Sequence, residues 1–217
     1  MGIPVVIYGK SGSGKSRSLK NFGEDEIFFI NVEKKLLPFR KRFKYELKSD
    51  DPILIMEQLA KMPTKVAVVD DTTFIMTNMF MRGHRNMKGN QQFELYNNIA
   101  DGIWHMYEFV KNKLPDDVIV YFIHHEDSDD FGQTRIKTIG KLLDSKVCIE
   151  GIVTICIRCM SKDGKHYFKV DTDGSDLSKA PEEMFPVGEF ENDLKLVDST
   201  IREYYGMNEK KKEKEKK

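Results

Sequence analysis

Residues 3–16 read IPVVIYGKSGSGKS, and this stretch decides the fold. Its first part, residues 3–8, is a short apolar run that ends at a glycine, which predicts a buried β-strand. Residues 9–16 then match the pattern G-x-x-x-x-G-K-[ST] in full, and residues 15–21 suit the start of a helix. A strand, a glycine-rich loop and a helix in this order predict a polyphosphate-binding loop, because successive backbone N–H groups can point at negative charge.

The residues of this loop have predicted roles in holding a nucleotide and its metal ion. Lys15 can reach the β- and γ-phosphates, and the Ser16 hydroxyl group can bind Mg²⁺. We therefore expect ATP and Mg²⁺ as cofactors. The candidate nucleotide-binding residues are Gly9, Lys10, Ser11, Gly12, Ser13, Gly14, Lys15, Ser16 and Arg17.

Further apolar runs along the chain predict more strands. They lie at residues 27–32, 65–70, 118–123, 152–157 and 166–170, and a turn at residues 162–165 joins the last two. Because these strands are apolar on both faces, we expect a mostly parallel sheet that is covered on both sides.

Helical patterns alternate with these strands. One helix begins at Pro52, after an N-cap at Asp51, and a last helix begins after Asn192 or Asp193 and runs to residue 205. A long helix begins at Gln91, and its apolar residues recur at steps of three and four. Those residues are Phe93, Tyr96, Ile99, Ile103, Tyr107, Val110 and Leu114. Strands and helices that alternate predict the α/β fold class, with helices on both faces of the sheet.

Composition limits the class of protein. The chain has 217 residues, 35 basic and 35 acidic side chains, and three cysteines, so neither a highly charged disordered chain nor a disulfide framework is expected. We predict one domain over residues 1–207 and a disordered tail over residues 208–217 (NEKKKEKEKK), which either tethers nucleic acid weakly or is only solvated. No apolar run approaches about 18 residues and no secretory pattern opens the chain, so we expect a soluble, cytoplasmic protein.

Acidic residues follow two of the predicted strands. Asp70 ends the run KVAVVD and is the candidate second ligand of Mg²⁺, directly or through water. Two carboxylates are candidates for orienting the attacking water: Glu33, just past the second strand, and Asp71, which alternatively caps the next helix. We favour Glu33, because the shorter aspartate side chain fits the demanding geometry less well.

Two histidines follow the fourth predicted strand. Ligands of such sheets gather at the carboxyl ends of the strands, so either His124 or His125 is a candidate sensor of the γ-phosphate. Metal binding by this pair is not favoured, because consecutive residues leaving a strand point in opposite directions. The same argument places Cys156 and Cys159 on opposite sides of the sheet, as core residues rather than zinc ligands.

Together these residues resemble the RecA-type ATPases. The resemblance rests on the strand and glycine-rich loop, on Glu33, on the aspartate that ends VAVVDD, and on the polar pair that ends VIVYFIHH. Four later segments are similar to a short, phage-encoded branch whose members anneal or recombine single-stranded DNA with ATP. They are TIGKL at residues 138–142, CIEGIVTICIR at 148–158, DTDGSDLSKAPEEMFP at 171–186 and NDLKLVDSTIREYYG at 192–206.

The resemblance implies roles for individual residues. Glu33 would activate water, Asp70 would hold Mg²⁺, and one of the histidines would link the γ-phosphate to a DNA-binding loop at residues 126–146. Lys141 would supply positive charge to the ATP of a neighbouring subunit. The implied DNA-binding residues are Phe131, Arg135 and Lys137 in that loop, and Arg82, Arg85 and Lys88 in a second basic loop.

The resemblance also implies partners and a location. The expected partners are single-stranded DNA, further copies of this chain in a ring or filament, and a single-strand-binding protein, but not a membrane. The compartment would be the cytoplasm of a bacterial host. The alternatives are a small nucleoside or nucleotide kinase, and a nucleotide-switched scaffold with little turnover. The kinase is less favoured because residues 127–141 hold one arginine, whereas such enzymes carry an arginine-rich lid.

Overall fold

The computed structural model describes residues 1–129 and 131–207, and the predicted tail at residues 208–217 lies outside them. The strands are β1 (Ile3–Gly9), β2 (Ile27–Asn31), β3 (Tyr45–Leu47), β4 (Val66–Asp70), β5 (Ile119–Ser128), β6 (Thr134–Ile136), β7 (Ile155–Lys162), β8 (Lys165–Lys169) and β9 (Glu189–Glu191). The α-helices are α1 (Pro52–Leu59), α2 (Thr73–Gly83), α3 (Gln91–Lys113), α4 (Lys141–Asp144), α5 (Ile149–Ile152) and α6 (Leu194–Tyr204). Two 3₁₀ helices lie at Ser16–Asn21 and His84–Asn86.

The strands form a mixed, mostly parallel sheet. Within the described residues nine strands take part, in the order β3-β2-β4-β5-β1-β7-β8-β9, with β6 paired to β5. The pairs along the path from β3 to β7 are all parallel, whereas β6, β8 and β9 pair in antiparallel fashion. The predicted α/β class and its mostly parallel sheet are therefore confirmed.

Apolar side chains are buried on both faces of the sheet. In β1, Val6 and Tyr8 pack on the side of α1, α2 and α3, whereas Val5 and Ile7 pack on the side of the first 3₁₀ helix and α6. This alternation follows from the two-residue period of a strand. The same period places Cys156 and Cys159 in the cores of opposite faces, as predicted from their spacing.

Parallel pairing brings the carboxyl ends of several strands to one edge. Gly9 at the end of β1 is level with His125 of β5, and Asp70 at the end of β4 is level with Asn31 of β2. Residues that are far apart in sequence therefore meet at this edge, where sheets of this kind bind their ligands.

Strand β5 is longer than the sequence predicts. It runs to Ser128, so His124, His125 and Glu126 lie within the strand rather than after it. The extension is stabilised by β6, which pairs with Glu126 and the next two residues. The prediction that residue 123 ends this strand is therefore wrong, but the two histidines still point to opposite faces.

Other predicted elements differ in detail. Residues 16–21 form a 3₁₀ helix, and the Ser18 hydroxyl donates to the Lys15 carbonyl three residues earlier, a local bond that competes with α-helical bonding. Residues 149–152 form α5, so the strand predicted from residue 152 begins at residue 155. The short strands β3, β6 and β9 lack a long apolar run and were not predicted.

The apolar residues that α3 buries differ slightly from the predicted set. Phe93 is 56% exposed, whereas Leu95 and Met106 are buried beside Ile99. At about 100° per residue, Phe93 lies roughly 120° around the helix from Ile99, outside the buried stripe. No helix in residues 1–129 or 131–207 is both long and apolar enough to cross a membrane.

Candidate functional site

The glycine-rich loop at residues 9–16 depends on its glycines. Gly12 and Gly14 have φ angles of 78° and 103°, in the left-handed region that side chains rarely adopt. A Cβ atom on Gly9 would lie 2.3 Å from the carbonyl oxygen of Cys159 on β7, which is closer than atoms can approach. Both features let the backbone turn tightly against the sheet.

Residues from β7 and β8 support this loop. The Sγ of Cys159 and the Nδ1 of His166 both lie within hydrogen-bond distance of the Ser13 carbonyl oxygen, at 3.2 Å and 2.8 Å. A Cβ on Gly14 would lie 2.7 Å from the His166 ring. His166 was not predicted to belong to the site, because its contact depends on the antiparallel β7–β8 pair.

Lys15 is buried and its ammonium group is directed to its own loop. The Nζ donates to the carbonyl oxygens of Gly9 and Lys10, each at 2.8 Å. Burial lowers the pKa of Lys15, against the opposing effect of Cys159, Asp71 and other nearby acidic groups. The lysine is thus placed as a positive charge within the curve of the loop.

Ser16 and Asp70 meet at the same edge. The Ser16 hydroxyl lies 3.0 Å from both carboxylate oxygens of Asp70, across 54 positions of sequence. Burial and the neighbouring Asp71 carboxylate raise the pKa of Asp70 to about 7. In residues 1–129 and 131–207, no group of three or more His, Cys, Asp or Glu side chains forms a ready metal site.

The raised pKa of Asp70 predicts a pH-dependent stability. Between about pH 4 and pH 7 the folded protein retains a proton on Asp70 that the unfolded chain releases, so this group lowers the free energy of unfolding as pH rises. We expect Asp70→Asn to raise the thermal midpoint at pH 8 but not at pH 4. Thermal denaturation of both proteins at the two pH values measures this difference.

Asp25→Asn, in an exposed turn, is the matched control and should leave both midpoints unchanged. A midpoint for Asp70→Asn that equals that of the wild type at pH 8, or falls below it, would contradict the predicted destabilising effect of the ionised carboxylate.

Asp71 faces the loop rather than capping α2. Its Oδ1 lies 3.0 Å from His125 Nε2, and its Oδ2 accepts from Lys35 Nζ at 2.8 Å. Burial alone would raise the pKa of Asp71, but the hydrogen bonds from His125 and Lys35 lower it to about 2. The N-cap position of α2 is Thr72, so the capping role considered for Asp71 is not what its side chain does.

The two histidines have different surroundings. His124 is fully buried, with its Nε2 2.8 Å from the Tyr107 hydroxyl and its Nδ1 3.4 Å from Thr73 Oγ1. Burial lowers the pKa of His124 to about 3, so this ring is neutral in the core. His125 is the histidine that faces the glycine-rich loop, through its contact with Asp71.

A cavity of about 340 Å³ lies beside the loop. Its wall consists of Ser11, Gly12, Gly14, Lys15, Ser16, Arg17, Lys35, Pro38, Asp71, His125 and His166. A second cavity, of about 480 Å³, shares Arg17 and His166 with the first. The rest of its wall comes from Lys20, Gly164, Lys165, Tyr167, Glu189, Phe190, Glu191 and Asn192.

Glu33 is not part of the wall that the described residues form, but its carboxylate is close enough to raise the pKa of Lys35, which is in the wall. Its Oε1 accepts a hydrogen bond of 2.9 Å from Asn78 on α2, and the side chain is half-buried. The structure therefore brings Asp71 to the cavity wall, whereas Glu33 is hydrogen-bonded to α2. Lys35, which was not predicted to belong to the site, is in the wall.

The candidate DNA-binding residues lie outside the cavity. Phe131 is 93% exposed beyond the end of β5, and Arg135 and Lys137 are exposed on and after β6. Arg82 pairs with Asp50 at the end of α2. Three further candidates are also exposed: Arg85, Lys88 and Lys141. Lys141 is the first residue of α4.

A scan against protein-family models and a search of curated proteins gave no match to this chain.

Proposed function

We propose that this protein is an ATPase with a RecA-like P-loop core, which binds ATP with Mg²⁺ beside the glycine-rich loop. The observation that carries the proposal is the arrangement at the end of β1. Two loop glycines adopt left-handed conformations, and the buried Lys15 lies within the loop. Ser16 contacts Asp70 at the same edge. Backbone N–H groups, a cation and a carboxylate are the groups that a magnesium triphosphate requires.

The two cavities, which share Arg17 and His166 in their walls, fit the parts of a nucleotide. The smaller one, with Lys15 and Ser16 in its wall, would take the phosphates, and the larger one would take the nucleoside. Their volumes of about 340 and 480 Å³ lie in the range of small-molecule sites. Arg17 is shared by both cavities and would lie beside the junction of the sugar and the phosphates.

The residues present also fit a magnesium ion. Mg²⁺ is usually held by one or two carboxylates together with substrate phosphates, rather than by a complete protein cage. Ser16 and Asp70 would hold it here, where it would neutralise charge on the phosphates. Because the pKa of Asp70 is raised, a cation would compete with a proton for this carboxylate and release that proton on binding.

The carboxylates beside the cavity support different roles in hydrolysis. Both oxygens of Asp71 are engaged, by His125 and Lys35, and its pKa of about 2 makes it a weak base. Asp71 is therefore suited to hold these two side chains at the cavity. We propose that Glu33 accepts the proton of the attacking water, because a general base often reaches its hydrogen-bonding position only in the complex with substrate.

Single-stranded DNA is the proposed macromolecular partner, bound by an oligomer in annealing or recombination. The hairpin of β5 and β6 supports this proposal, because β5 carries His125 at the cavity and leads directly to exposed basic and aromatic residues. Phe131 can stack on a base, while Arg135 and Lys137 can contact phosphates. In such an oligomer Lys141 would reach the nucleotide of a neighbouring copy.

The DNA interaction is tested by its dependence on salt. For about four phosphate contacts, we expect the affinity for single-stranded DNA, measured with ATP and Mg²⁺, to fall with a log–log slope near −3. The double variant Arg135→Gln/Lys137→Gln should reduce the slope by about 1.4, since each contact contributes about 0.7. Fluorescence anisotropy of a labelled oligonucleotide at several salt concentrations measures both slopes.

Lys61→Gln/Lys113→Gln removes two exposed charges elsewhere and is the matched control. An affinity that does not change between low and moderate salt would contradict the DNA proposal. ATP turnover with and without the oligonucleotide separates an ATPase from a scaffold, and a phosphorylated product from an added nucleoside would indicate a kinase.

A further inference from the structure

Lys35 lies in the wall of the proposed phosphate cavity, on the connection after β2. Its Nζ donates to Asp71 Oδ2 at 2.8 Å and lies 4.6 Å from the centre of the Phe74 ring. The same ring packs perpendicular to the ring of His125, with the ring centres 5.5 Å apart. Phe74 and Asp71 together therefore hold two basic side chains at one side of the cavity.

The backbone of Lys35 is fixed by a buried side chain. Asn31, the last residue of β2, donates from Nδ2 to the Lys35 carbonyl oxygen at 2.8 Å and accepts from the Lys35 amide at 3.1 Å. Lys34 completes this tight turn with a φ of 57°. The backbone position is thus set by β2, whereas the Lys35 side chain is 56% exposed. The aliphatic part of this side chain can therefore change conformation while the backbone stays in place.

The charges around Lys35 favour a second anion. Among the described residues, the cavity wall carries three cations, Lys15, Arg17 and Lys35, and the one carboxylate of Asp71. Lys15 is bonded to carbonyl oxygens inside the loop, whereas Lys35 and His125 both contact Asp71.

Two further carboxylates, Glu33 and Asp70, act on Lys35 from outside the wall. Burial opposes the charged form of Lys35, but the carboxylates of Asp71, Glu33 and Asp70 together outweigh it and raise the pKa, so the side chain is an ammonium at neutral pH. The ammonium group of a flexible lysine side chain can move from a carboxylate to a nearby phosphate without a change in backbone conformation.

We infer that Lys35 is a specificity-determining residue, which binds the γ-phosphate of a nucleoside triphosphate and so distinguishes it from the diphosphate. This inference rests on the proposed function. It adds Lys35 to Lys15 and Mg²⁺ as a cation that holds the triphosphate. A diphosphate lacks the group that Lys35 reaches, so Asp71 keeps the ammonium in that case.

The test compares ATP with ADP. Lys35→Met keeps the aliphatic stem and removes the charge, Lys35→Gln keeps a donor for Asp71, and Lys35→Arg keeps the charge. With Mg²⁺ present, calorimetry of the two uncharged variants should show ATP binding weakened about tenfold to a hundredfold, the range for a lost charged hydrogen bond. ADP binding should change less than about twofold, and Lys35→Arg should retain most of the preference for ATP.

Lys61→Met is the matched control, since Lys61 is an exposed lysine outside both the cavity wall and the turn that holds Lys35, and it should leave the binding of both nucleotides unchanged. Equal weakening of ATP and ADP would indicate a structural role and overturn the inference, as would an unchanged preference for ATP in either uncharged variant. In both cases, binding of ATP by the wild-type protein still supports the proposed function. A wild-type protein that binds neither nucleotide overturns the proposed function and the inference together.

Discussion

Lys15→Ala is expected to weaken ATP binding by more than about a hundredfold. The ammonium group lies inside the loop, bonded only to carbonyl oxygens in the described part of the chain, and charged hydrogen bonds to phosphate contribute about 1.5–3 kcal/mol each. Its removal takes away several such bonds and a full positive charge from a buried position. Titration calorimetry with ATP and Mg²⁺ measures the loss.

Two comparisons make this result specific to the site. Lys61→Ala removes an exposed lysine elsewhere and should leave ATP binding unchanged. The thermal midpoint of Lys15→Ala, measured without nucleotide, separates a binding defect from unfolding. A folded Lys15→Ala protein that binds ATP as tightly as the wild type would show that the phosphates lie elsewhere.

Glu33→Gln is expected to slow ATP hydrolysis about a hundredfold or more while ATP binding is retained. A general base contributes this order of rate enhancement, and the amide removes the basic oxygen with little change of shape. Asn78→Ala, which releases Glu33 Oε1 from its hydrogen bond, should slow turnover by a smaller factor. Steady-state turnover and calorimetry on the same preparations measure rate and affinity separately.

Asp71→Asn provides the decisive comparison for this assignment. Because Asp71 holds His125 and Lys35, its variant should weaken ATP binding as well as turnover. If Asp71→Asn keeps its affinity for ATP and is slower than Glu33→Gln, the base is Asp71. Glu57→Gln, on the exposed side of α1, is the matched control and should behave as the wild type.

The sequence predicted those parts of the site that depend on local patterns. Gly12 and Gly14 adopt backbone conformations that side chains rarely allow, and Gly9 leaves no space for a Cβ atom. The apolar run before Asp70 places this residue at a strand end. Parallel pairing then brings both segments to one edge. The α/β class followed from the same apolar runs, because buried parallel strands are apolar on both faces.

Other parts depend on contacts between distant segments, which no local pattern indicates. His166 reaches the loop because β8 pairs with β7, and Lys35 reaches Asp71 because Asn31 fixes the turn after β2. The sequence did not show which of His124 and His125 faces the cavity, because the answer depends on β5 continuing through both residues. Once it does, the strand period buries one ring and directs the other to the cavity.

Direct binding of ATP to the wild-type chain tests the central claim. Calorimetric titration of ATP in the presence of Mg²⁺ should give a saturable signal with one site per chain, which weakens when Mg²⁺ is chelated. A titration that shows no saturable heat at any accessible protein concentration, with the folded state verified by its thermal transition, would contradict the account of the glycine-rich loop as a triphosphate site.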